Sequence, residues 1–74
     1  MLKVIGVNDM AFVARVVAAV REGAGHDVDP PYRTRVTPNR RHIAITLEPL
    51  MADAEEVLAA YARLRTVEGV VMMM

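Results

Sequence analysis

The chain has 74 residues, nine basic and nine acidic side chains that cancel, and no Cys, Ser, Gln or Trp. A chain this short makes one domain, burying roughly 60 % of its unfolded surface and keeping only about 3 to 5 kcal/mol of net stability. Composition excludes disulfides, thiolate metal sites and Ser- or Cys-based nucleophiles, and the charge balance removes any whole-chain attraction to nucleic acid or an anionic membrane.

Leu2-Lys3-Val4-Ile5-Gly6-Val7 is rich in β-branched residues and runs directly into Asn8-Asp9, both good helix N-caps, which predicts a strand followed at once by a helix. From Met10 onward Phe12, Val13, Val16, Val17 and Val20 recur at helical spacing, and Gly23 and Gly25 offer left-handed stops. The opening residues carry no basic leader pattern, and Arg15 interrupts the apolar run from Met10 to Val20. Neither a signal peptide nor a membrane span is therefore expected, and a soluble cytoplasmic protein is the expectation.

His26 to Pro31 reads as a connector, because its Pro-Pro pair forbids helix and delivers an extended chain into Tyr32. Tyr32 to Thr37 alternates as a strand, and Pro38-Asn39-Arg40 turns it into a second strand over Arg41 to Glu48. There Ile43, Ile45 and Leu47 point one way while His42, Ala44, Thr46 and Glu48 point the other. Asp53 followed by Glu56 resembles a capping box that opens a helix through Arg65, with Val57, Leu58, Tyr61 and Leu64 as its expected buried stripe. Glu68-Gly69 turns the chain into Val70 to Met74, a last strand of five apolar residues.

The order strand, helix, strand, strand, helix, strand predicts an α+β domain spanning 1–74. Its expected architecture is a ferredoxin-like βαββαβ plait, a four-stranded antiparallel sheet in the order 4-1-3-2 with both helices on one face. Arg33 and Arg35 guard the second strand, whereas Val70 to Met74 has neither charge nor proline and forms an open edge. Ile5, Val7, Val71, Met72, Met73 and Met74 are accordingly the expected interface of a homodimer, formed edge to edge or face to face.

No catalytic residue is expected. Thr34, Thr37, Thr46 and Thr66 lack a base-orienting pattern, Lys3 reads as a solvated lysine, and Asp53, Glu55 and Glu56 suit the first turn of a helix. His26 and His42 lack the spacing of metal ligands, and no nucleotide-binding loop is present, so neither metal nor cofactor is predicted. Two binding alternatives follow. Gly6, Asn8 and Asp9, at a helix N-terminus, are where a small anionic effector such as an amino acid or carboxylate would bind, although capping alone accounts for the same residues. Arg33, Arg35, Arg40 and Arg41 make one hairpin basic, and RNA-recognition domains share this element order. Those modules stack bases on aromatics of their central strands. The aromatics here are Phe12, Tyr32 and Tyr61, two of them on helices, which leaves RNA only phosphate contacts.

The same residues carry a resemblance that covers nearly the whole chain. Leu2-Lys3-Val4-Ile5-Gly6 is similar to the opening Lys-Val-x-Gly segment of the YbeD-like domain-of-unknown-function proteins. Glu56-Val57 through Tyr61 and Leu64 resembles that family's Glu-x-Leu…Tyr-x-x-Leu helix, and Val70 to Met74 its closing Val-x-Met-Val-Leu strand; Thr46 falls within its Ser-Val-Thr-Val strand. The family's His-x-Pro-Asp segment is replaced by Gly23-Ala24-Gly25-His26-Asp27, and its hairpin is shortened to Pro38-Asn39-Arg40-Arg41-His42. The resemblance implies a plait like that of ACT regulatory domains, without established catalysis, and by fold analogy a regulatory part, sometimes proposed in connection with lipoate metabolism; a protein partner in a regulated pathway is the accompanying expectation. ACT domains bind amino acids beside the loop after their first strand through a Pro-Gly turn, where this chain has Val7-Asn8-Asp9-Met10.

Overall fold

A computed structural model describes residues 1–74. It contains β1 (Leu2–Val7), α1 (Met10–Gly23), β2 (Tyr32–Val36), β3 (His42–Leu47), α2 (Ala54–Leu64) and β4 (Val70–Met73). The four strands form one antiparallel sheet in the order β2-β3-β1-β4, the expected βαββαβ plait.

Both helices begin where side chains take over unpaired backbone donors. The Asp9 carboxylate accepts the Ala11 N–H at 2.9 Å. At α2 the Asp53 carboxylate accepts the Glu56 N–H at 3.0 Å, while the Glu56 carboxylate reaches back to the Ala52 N–H, completing a capping box. At the end of α1, His26 N–H donates to Arg21 carbonyl at 3.0 Å and Gly25 N–H to Glu22 carbonyl at 3.1 Å, with Gly25 at φ 71°. That pair of bonds is a Schellman stop, so Gly25 is the left-handed residue and Gly23 stays inside the helix.

Gly23 has a different task. A Cβ built on it would lie 2.7 Å from the Ala60 Cα, so its bare backbone lets α2 pack directly against α1. This close approach corrects the expected stripe of α2. Ala60 and Leu64 are buried, Val57 and Tyr61 are half-buried, and Leu58 is 67 % exposed. A leucine at the contact would hold the helices apart, whereas alanine opposite glycine brings them together.

The core lies between the helices and one face of the sheet. Leu2 and Val4 of β1, Ile43, Ile45 and Leu47 of β3, and Phe12, Val13, Val16, Val17 and Val20 of α1 are buried, with Val70 and Met73 packed against them. The helix layer does not extend over β2. Tyr32, Thr34 and Val36 pair with Leu47, Ile45 and Ile43 and so share their side of the sheet, yet all three are exposed. No helix is long and apolar enough to cross a membrane.

Candidate functional site: the uncovered sheet face

Residues paired across an antiparallel sheet point to the same side, so the register resolves the uncovered face into rows. In one row Arg33 lies beside Thr46, Thr46 beside Lys3, and Lys3 beside Met74, with which it exchanges backbone hydrogen bonds of 3.2 and 2.8 Å. The next row is Arg35, Ala44, Ile5 and Met72, and a third holds His42 and Val7. One half of the face is therefore cationic and the other apolar.

The cationic half forms a groove. Ala44 and Thr46 of β3 are short and make its floor; Arg33 and Arg35 of β2 rise on one side and Lys3 of β1 on the other, enclosing about 430 Å³. None of the three cations takes part in an ion pair; the pairs formed are Arg21–Asp29 at 2.7 Å and Arg63–Glu22 at 3.5 Å, both on the helix side. Glu48, beside Thr46 and Arg33 at one end, is the nearest carboxylate along the strand.

The apolar half consists of Ile5, Val7, Val71, Met72 and Met74, with Met72 51 % and Met74 55 % exposed. Met73 does not belong to it. It pairs with Val4 and packs against the core, so its side chain lies on the opposite side of the sheet from this patch. Ile5 opposes Met72 and Gly6 opposes Val70, so Val71 is an extra residue that bulges β4.

The loop after β1 is occupied by the protein itself. A Cβ on Gly6 would fall 2.2 Å from Phe12 Cζ and 2.5 Å from the Gly69 carbonyl oxygen, so the space that glycine leaves is filled by the Phe12 ring. Asp9 caps α1. The Asn8 side-chain amide donates to Arg40 carbonyl at 2.9 Å and its backbone N–H to Arg41 carbonyl at 3.2 Å, clamping the hairpin. The three residues expected to receive an effector are thus engaged in internal packing and hydrogen bonding.

The four hairpin arginines separate in space. Arg33 and Arg35 stand on the sheet, while Arg40 and Arg41 belong to the turn, Arg40 with φ 61°. Lys3 takes the place in the cationic cluster that the turn arginines do not. Sequence reading missed it because its nearness to Arg33 depends on two strand registers at once; face parity, Lys3 with Ile5 and Val7, was the available signal.

A second cavity of about 240 Å³ opens where the connectors after α1 and β3 meet, lined by Val28, Pro30, Pro31, Pro49 and Leu50. Its polar members are engaged with the protein: Arg21 pairs with Asp29, and His26 Nε2 lies 2.6 Å from Leu50 carbonyl. No group of three or more His, Cys, Asp or Glu is placed to hold a metal.

Comparison with known families gives one match, across residues 1–74, to the model described as "Protein of unknown function (DUF493)". Neither a curated protein nor a solved structure matches the chain.

Proposed function

The chain belongs to the DUF493 family of proteins of unknown function, the YbeD-like group, and from that premise we propose that it is a non-enzymatic interaction module working as a homodimer with a regulatory role. The observation that carries this reading is the apolar cluster of half-buried Ile5 with exposed Val7, Val71, Met72 and Met74 on a sheet face that no element of the chain covers. In so small a domain a second copy supplies burial that the single core lacks. Face packing is favoured over edge pairing. β4 has four residues and a bulge, two devices that blunt an edge, whereas its outward side chains form a continuous patch with those of β1.

Met72 lies within that patch and off the core, so Met72→Lys should leave the fold intact and weaken association by more than tenfold. Sedimentation equilibrium of the two proteins checks this. A wild-type chain that stays monomeric at every accessible concentration would overturn the dimer.

A further inference from the structure

We propose that the groove floored by Ala44 and Thr46 binds a small anion carrying at least two phosphate or carboxylate groups, held by Lys3, Arg33 and Arg35. This goes beyond the homodimer: the groove lies over β2 and β3 and is closed on its far side by Lys3 of β1, which borders the apolar patch at Ile5 and Met74.

Three observations point to such a ligand. The first is charge placement: a chain of zero net charge sets three cations around one groove, none of them in an ion pair, with Glu48 beside Arg33 at one end as the nearest carboxylate. Arg33 and Arg35 are two residues apart on one strand face, about 7 Å, and Lys3 stands two strand spacings from Arg33, about 10 Å. At these backbone spacings the flexible side chains can converge on a molecule of metabolite size. The second is shape. A floor of alanine and threonine between long side chains makes a concavity of about 430 Å³, within the range of small-molecule sites. The third is donor chemistry: guanidinium groups grip phosphate or carboxylate oxygens in pairs, Lys3 adds a point charge, and the Thr46 hydroxyl offers a neutral partner at the base.

A nucleic acid strand fits less well. The face displays no Phe, Tyr or Trp for a base to stack on, its one ring being the His42 imidazole outside the groove, and the chain's neutrality provides no long-range pull on a polymer of phosphates.

The experiment is an amide-resolved NMR titration of the full ¹⁵N-labelled chain with pyrophosphate and, separately, citrate, at about 0.15 M salt. The expected result is saturable shifts at Lys3, Arg33, Arg35, Ala44 and Thr46 with either probe, the stronger one telling phosphate from carboxylate. Arg33→Gln and Arg35→Gln should each weaken binding by about tenfold or more. Both positions are exposed edge-strand sites, so the variants keep the wild-type spectrum elsewhere and the wild-type sedimentation behaviour; Lys3→Gln provides the same reading from β1. Absence of saturable shifts with both probes would overturn the proposal, as would binding indifferent to these variants. A short single-stranded oligonucleotide that displaces the probes with a steep salt dependence would equally overturn it, by making nucleic acid the occupant.

Discussion

At the residue scale the tightest constraint is Gly6. Its missing side chain is the volume that the Phe12 ring fills, and Phe12 is fully buried. Gly6→Ala must displace both that ring and the Gly69 carbonyl, a case of overpacking that costs about 1 to 3 kcal/mol or more. Against a net stability of about 3 to 5 kcal/mol for a domain this size, most of the protein's margin would be lost. Urea unfolding should show the midpoint falling steeply, and an unchanged midpoint would mean that the ring has another place to go. Residue-level reading of the sequence recognised Gly6 as a site of close approach but not what approaches. A glycine announces vacant volume, and only the path of α1 decides which side chain enters it.

Among the elements, α2 shows where periodicity runs out. A stripe through Val57, Leu58, Tyr61 and Leu64 and one through Val57, Ala60, Tyr61 and Leu64 both satisfy a period of 3.6, and residue size favours the first. The structure selects the second because Gly23 on α1 demands a small partner. Leu58→Lys should therefore change stability by less than about 0.5 kcal/mol, whereas Leu64→Ala should cost about 2 to 5 kcal/mol; thermal unfolding of the pair checks the assignment. β4 poses the same difficulty in another form. Five consecutive apolar residues carry no alternation, so the side on which Met73 falls is set by the bulge at Val71, which local pattern does not encode. By contrast β3 alternates cleanly, and its buried face of Ile43, Ile45 and Leu47 was legible from residue order, although the strand is one residue shorter at each end than the expected Arg41 to Glu48.

For the molecule as a whole, element order and crossover handedness sufficed to place β1 and β3 at the centre of the sheet, while the site did not emerge until two registers were combined. The cationic groove draws Lys3 from the first strand and the arginines from the second, residues about thirty positions apart along the chain. The cationic and apolar halves of the uncovered face meet at Lys3, beside Ile5 and Met74. If the apolar half is covered by a second copy, folding and assembly are linked, and the melting temperature should rise with protein concentration. Calorimetry across a hundredfold range of concentration measures this, and a constant melting temperature would count against assembly in that range.

The short reach of the helix layer affects β2. With Tyr32, Thr34 and Val36 wet on one side and Arg33 and Arg35 on the other, nothing but the ladder to β3 and its flanking turns secures this strand. Segments so poorly buttressed open at lower free energy than the centre of a domain. The arginine-bearing bank is thus the pliant one and the lysine-bearing bank the stiff one, which lets the channel between them widen or narrow around guests of unequal girth while the hydrophobic interior stays undisturbed.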